Sequence, residues 1–415
     1  MEHVKAIGEL PVLSELESPK WGGDFPWLTD DLFEREYQGP LASPWGDLVV
    51  YSNDDVSALI KNRSVTHQTL EASIAGFCPA GAPKDKGLAN FMTFNSFAFR
   101  APEHRPFKQL TADRVSPAAL VDVRGAVHDI TVDALTSASR LTDFDVVSQI
   151  AKPVVGKVWS HMVGVNDEES ARLLELGEEL GELLSLQLAE EQIPGANAAY
   201  DEYMEVLTGG IVRSHRTGDF PMLNALAEAH AAMGPVGRPE EPFRPLASML
   251  ADGFATLPVL LSSVMWAVAA YEVARPDKGD VDQWAASVFS EASRLHPAVV
   301  GTLRQASEDF DYNGVHVPAD TNVFMLWMFA NRDPKAFPDP MEFQLERAGR
   351  RKQVTFGGTG AYTCTGQNIT RLVCEEMLKA IALNDASIHL EEQAQWTSGS
   401  LLHRFPSQGM SISLP

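Results

Sequence analysis

VTFGGTGAYTCTGQNITRLVCEEML (354–378) decides the reading of this chain. Gly357, Gly358, Gly360 and Gly366 flank a lone Cys364, and text with a helical period follows it. Glycine permits close backbone approach, so such a loop can lie against a flat ligand. A cysteine at the head of a helix meets the positive end of the helix dipole and free N–H groups, and both favour the thiolate. The bland alternative is a small buried hydrophobe near a helix start. That alternative is kept for the other two cysteines, with Cys374 as helix packing and Cys78 as a loop thiol.

Outward from this loop the text is mostly helical. EESARLLELGEELGELLSLQL (168–188) and the long apolar stretch 243–275, which carries Pro258, repeat apolar residues near every 3.6 positions. The whole span from about 117 to 275 reads as helical. WGDLVVYSN (45–53) predicts a strand, and residues 54–61 a helix started by Asn53 or Asp54. Strand text returns at 300–326, with GVHVP (314–318) as a turn and strand. Residues 75–100, rich in Gly, Pro and Phe, predict a long loop. The fold class is mainly α with small β-sheets. One domain is expected over 1–415, with a β-rich part to about 75 and a helical part from about 76.

The 415 residues are 45% hydrophobic, enough to enclose a cofactor, and carry a formal net charge of −23. That balance argues against a nucleic-acid partner and against anionic membrane surfaces. An odd, sparse cysteine count does not form a secreted disulfide framework. MEHVKAIGELPVLSELESPKW (1–21) lacks the basic and apolar regions of a signal peptide. No window approaches the roughly 18 uninterrupted apolar residues of a membrane span. A cytoplasmic monomer with no membrane contact is expected.

The loop resembles the haem-binding signature of the cytochrome P450 family, Phe-x-x-Gly-x-(His/Arg)-x-Cys-x-Gly. Gly360, Cys364 and Gly366 fall in register. Phe356 lies eight residues before the cysteine instead of seven, so the loop carries one extra residue. Tyr362 stands where the family's His or Arg contacts a haem propionate. EASRLHP (291–297) resembles the Glu-x-x-Arg motif, Glu291 and Arg294 facing each other at i,i+3. The plain alternative is a surface pair worth under about 1 kcal/mol. The family's third member of this set aligns with Glu342, an acid, so that member is expected to be lost. Residues 304–323 and FANRDPKAFPDPMEF (329–343) resemble the family's strand and meander, with Arg304 at a propionate-binding position. The alternative for Arg304 is a solvated strand end. APEHRPFKQLTADRVSP (101–117) resembles the helix crossing the proximal face, where His104 and Lys108 would hold a propionate and receive a redox partner. Their alternative is a surface cluster at a helix start.

ADGFATLPVLL (251–261) resembles the family's oxygen-side motif, (Ala/Gly)-Gly-x-(Asp/Glu)-Thr. Gly253 would leave a groove for O2, and Thr256 would donate a hydrogen bond there. Ala255 holds the acid's place, and Asp252 stands where a small residue is usual. Either Asp252 supplies the missing carboxylate for proton delivery, or it binds a hydroxyl or amine of the substrate. Pro258 removes an N–H and should kink the helix. On the substrate side, Phe91, Phe94 and Phe97 line the pocket or fill ordinary core; Val299 to Thr302 and SGSLLHRF (398–405), with Leu401, would approach substrate. His403 reads as a surface histidine.

The resemblance implies a triangular prism of helices enclosing haem b, with Cys364 as the iron's axial ligand. Gly360, Phe356, Tyr362 and Gln353 would surround the cofactor, the last two replacing the usual histidines. The activity implied is that of an oxidoreductase. It would be a monooxygenase inserting one oxygen atom from O2 into a small to medium, largely apolar substrate, in secondary metabolism. Electrons would come from a separate ferredoxin or flavodoxin. The altered acid–alcohol pair leaves open peroxide-driven oxidation, desaturation, ring coupling or demethylation. A haem-binding sensor without catalysis is the third possibility.

Overall fold

A computed structural model describes residues 4–17, 25–74, 86–94, 108–109, 112–113, 115–182, 190–220, 224, 228, 243–277, 279–347, 352–397 and 401–415. Its helices are α1 (Phe25–Glu34), α2 (Asn53–Lys61), α3 (Leu70–Ile74), α4 (Gly87–Phe94), α5 (Val121–Ala138) and α6 (Lys152–Val163). They continue with α7 (Asp167–Glu182), α8 (Ile193–Thr217), α9 (Phe243–Ala270), α10 (Val281–Leu295), α11 (Trp327–Ala330) and α12 (Gln367–Leu383). The strands are β1 (Lys5–Ala6), β2 (Leu41–Ala42), β3 (Leu48–Val50), β4 (Val65–Thr66), β5 (Phe144–Asp145) and β6 (Thr302–Ala306). After them come β7 (Phe310–Tyr312), β8 (Val315–Val317), β9 (Asn322–Met325), β10 (Ser387–Leu390) and β11 (Gly409–Ser413).

The largest sheet has the order β2-β3-β9-β6-β4, with β3 parallel to β9 and β6 antiparallel to both β9 and β4. Strands β2, β3 and β4 therefore build one sheet with the 302–325 segment, while β1 pairs with β8. This sheet carries Arg304 on β6, registered opposite Val323. The 45–53 stretch forms β3 and then α2. The cap of α2 is Ser52, whose hydroxyl accepts the Asp55 N–H at 3.1 Å. Asn53, expected as a possible cap, is buried, and its side-chain amide reaches the carbonyls of Ala330 and Lys352.

Helix α9 runs through the core and packs on α7, α8, α10 and α12. Phe254, Leu257, Leu261, Val264 and Met265 are buried along it. Each such side chain contributes about 1.5–3 kcal/mol by leaving water. Contrary to the sequence expectation, Leu250–Ala270 is long and apolar enough to cross a membrane. Most of it is buried against neighbouring helices, which explains that composition. The 75–100 stretch is likewise not loop throughout, because α4 forms within it and packs on α8.

Candidate functional site

Cys364 sits just before α12, whose N-cap is Gly366. The eight-residue step from Phe356 closes on itself, the Cys364 N–H donating to the Phe356 carbonyl at 2.8 Å. Gly357 and Gly358 take positive φ of 80° and 57°, which a side chain would strain. Thr363 then ties the arch, its hydroxyl reaching the Gly360 carbonyl at 2.7 Å. Gly360 packs on α2 so closely that an added Cβ would lie 2.3 Å from Ile60 Cγ2. Phe356 turns its ring to Phe289 of α10, centroids 6.2 Å apart. The extra loop residue is thus absorbed in a closed arch.

The main-chain N–H groups of Gly366 and Gln367 point hydrogen bonds at the Cys364 sulfur and favour its thiolate. Burial outweighs them and pushes the thiol up, helped by the Asp252 carboxylate. The helix-start effect expected from sequence is therefore present, but desolvation exceeds it until a cation arrives. Cys364 is open to a water-sized probe and yet ringed by protein. Asp252 on α9 has the same double property. The two share an electrostatic field, as opposite walls of one internal cavity would. Burial pushes the Asp252 carboxyl up to about 7.

Thr256 lies one turn beyond Asp252, and its hydroxyl donates to the Asp252 main-chain carbonyl at 2.7 Å. Gly253 does not face this cavity. An added Cβ there would sit 2.6 Å from Trp159 Cζ2, so the glycine makes room for an indole on α6. The expected O2 groove at Gly253 is corrected accordingly: helical geometry turns residue 253 about 100° from residue 252.

On β6 Arg304 is buried, with its Nη1 on Thr302 Oγ1 (2.6 Å) and the Leu303 carbonyl (2.9 Å). No described carboxylate pairs with it, and burial lowers its pKa to about 10. Its guanidinium lies 5.4 Å from the Tyr362 ring centroid, and Tyr362 packs on His67 at 4.1 Å. A small pocket joins Arg304 and Tyr362 with Ile60, Thr302, Trp327 and Gly357. Lys108 donates to the Ala361 carbonyl at 2.6 Å, between the charges of Cys364 and Arg304. Burial lowers Lys108 to about 8.

Gln353 belongs elsewhere. Its amide nitrogen donates to Ser293 Oγ of α10 (2.9 Å) and to Thr355 Oγ1 in its own loop (2.7 Å), so both its protons are engaged, and its expected role at the cofactor is corrected. His104 and Phe97 lie outside the described residues, as does Cys78, and the Phe94 side chain is likewise not described. Phe91 is core, its ring 4.9 Å from that of Tyr200. Val299 bridges Leu402, and the Val300 N–H donates to the Leu401 carbonyl at 2.9 Å, so the two expected substrate segments meet. His403 is buried rather than on the surface, stacked on Trp396 at 3.9 Å and 3.3 Å from His296 Nδ1. Cys374 is core, and burial pushes its thiol up.

Glu291 and Arg294 form a fully buried bidentate pair at 2.9 and 2.8 Å, not a surface pair. The third member exists: Arg347 Nε donates to Glu291 Oε1 at 2.6 Å. Glu342 contributes only its main-chain carbonyl to both arginines. The basic member therefore stands five residues beyond Glu342.

A cysteine at a helix head, electrostatically coupled to a carboxyl on a long internal helix in this mainly helical frame, is an arrangement suited to a thiolate-ligated metal group. The cytochrome P450 family model matches residues 285–384. Cytochrome P450 144 of Mycobacterium tuberculosis is 26% identical over 255 residues, 61% of this chain and 58% of that protein's length. Luteothin monooxygenase of Streptomyces thioluteus is 26% identical over 373 residues, 86% of each chain. The crystal structure of CalO2 superposes with a TM-score of 0.81 at 18% identity, covering 98% of this chain and all of that one. The chain is thus similar to cytochromes P450 in fold and in its carboxy-terminal sequence, a family whose members carry a haem-thiolate iron. The residues present fit such a group. Cys364 offers a sulfur already held by two N–H donors, and Arg304 is a buried cation with no described acid beside it.

Proposed function

We propose that this chain is a haem b monooxygenase that inserts one oxygen atom of O2 into a small to medium, largely apolar organic substrate. Bound at Cys364, haem supplies the reduction of O2 and the oxygen transfer. The observation that carries this is Cys364 at the head of α12, electrostatically coupled to Asp252 of α9, with Thr256 one turn beyond that acid. Gly366 and Gln367 hold the thiolate charge through their N–H groups. Arg304, with Tyr362 and Lys108 beside it, is suited to a propionate, because a buried guanidinium gains most from an anion. His104 joins this set by position. Thr256 and Asp252 form the oxygen-side face, where a carboxyl with a midpoint near 7 holds or releases a proton at physiological pH. Val299, Leu401, Phe94 and Phe97 are the proposed apolar substrate contacts, Phe91 being core. Electrons come from a separate ferredoxin or flavodoxin to a cytoplasmic monomer.

The test supplies haem-loaded protein with a surrogate ferredoxin, its reductase, labelled O2 and a panel of terpenoids, aromatics and peptide-derived alkaloids. Products carrying one labelled atom are expected. Absence of any O2 reduction with haem bound overturns catalysis in favour of a haem-binding sensor. Ala255 in the acid's place favours a second reading, peroxide-driven or otherwise atypical oxidation, recognised by turnover with peroxide and no reductase.

A further inference from the structure

Resting on the haem-thiolate reading above, we infer that the substrate carries a basic nitrogen whose protonated form pairs with the Asp252 carboxylate. Asp252 holds a cavity-facing position on α9, and its carboxyl receives no hydrogen bond and no ion pair among the described residues. The Thr256 hydroxyl, one turn on, goes to the Asp252 main chain instead. Among the described residues no lysine or arginine offsets its burial. The titratable groups that face it are Tyr200 and Tyr203 of α8 and Cys364 across the cavity. Tyr203 gives its hydroxyl to the Ala251 carbonyl at 3.3 Å, so it presents a ring rather than a donor. The Tyr200 ring is backed by Phe91.

A lone carboxyl beside aromatic rings is the chemistry that recognises an organic cation. A buried carboxylate is costly until neutralised, and an ammonium neutralises it while its alkyl groups gain from the rings. A proton relay would instead need a hydrogen-bonded chain from the carboxyl outward, and the carboxyl bonds to no described group. The net charge of −23 draws organic cations towards the protein.

The experiment uses haem-loaded protein and two ligands of one shape. They are N,N-dimethylphenethylamine, protonated at neutral pH, and its uncharged isostere (3-methylbutyl)benzene. Calorimetry gives dissociation constants for wild type, Asp252→Asn and Asp252→Glu. In wild type the amine binds at least about tenfold more tightly than the hydrocarbon, about 1.4 kcal/mol. Asp252→Asn abolishes that preference with hydrocarbon binding retained, and Asp252→Glu keeps part of it. An amine that binds wild type no better than the hydrocarbon overturns the inference, whether both bind or neither does. So does a preference that survives in Asp252→Asn. The ferrous carbonyl spectrum of the same samples separates the two levels. A lost thiolate band defeats the haem-thiolate reading, whereas an intact band without amine preference defeats only the substrate class.

Discussion

Two sets of buried charge lie in this chain, and the protein treats them oppositely. Around Glu291 one carboxylate is shared by two guanidinium groups, and the set is densely hydrogen-bonded. Arg294 and Arg347 grip its carboxylate, the Gln344 N–H adds a third partner at 3.0 Å, and main-chain carbonyls of Asn331, Pro338, Asp339, Pro340 and Glu342 take the remaining guanidinium protons. Around the cavity the charges are left unmatched. Arg304 has no described acid, and Asp252 has no described donor. A buried charge that is paired and hydrogen-bonded fastens helix to meander. One that is not is costly, and persists where a ligand completes it. The contrast separates what holds the loop in place from what meets cofactor and substrate.

The largest expected effect comes from the matched set. Glu291→Gln leaves two buried guanidinium groups without their carboxylate and should destabilise the fold by about 3–5 kcal/mol, read as a fall in denaturation midpoint. A loss below about 1 kcal/mol would mean that the pair acts like a surface one. Arg304→Leu should do the reverse, removing an unmatched charge with stability of the haem-free protein nearly unchanged. Its cost should appear in haem retention, roughly tenfold weaker in competition with apomyoglobin. Equal retention would break the assignment of Arg304 to the cofactor. The smallest effect belongs to Asp252→Asn. The native pKa of Asp252 is raised, so the native state binds more protons than the unfolded chain between about pH 4 and 7. Wild type should therefore lose stability relative to the Asn variant as pH climbs through that window, and the gap should level off above it. A gap that is constant from pH 5 to 8 would contradict the burial of this carboxyl.

The matched and unmatched sets were unequally legible in the sequence. Cys364 stood out less by its own imperfect loop than by its companions, since His104, Glu291, Arg294, Arg304 and the 329–343 text fall in the family's order. The i,i+3 spacing of Glu291 and Arg294 was visible, but the same spacing occurs on helix surfaces, and burial is decided by the distant meander. Arg347 escaped notice because an irregular loop has no period from which to count its approach. Gly253 was assigned to the wrong neighbour for a related reason: Trp159, which fills the space, lies on another helix far along the chain. Gln353 was placed by position beside the cysteine loop, and only the hydroxyls of Ser293 and Thr355 reveal where its amide points. His403 looked superficial because a short polar segment hides its pairing with residues 298–300. Local chemistry was thus readable, and the facing of side chains across elements was not.

The measurement that bears most directly on the central claim is the carbonyl spectrum of the reduced, haem-loaded protein with and without the Cys364 sulfur. A thiolate ligand at Cys364 predicts the red-shifted band of thiolate ligation in wild type and its loss in Cys364→Ser, with haem still bound. An unchanged red-shifted band in Cys364→Ser would contradict it.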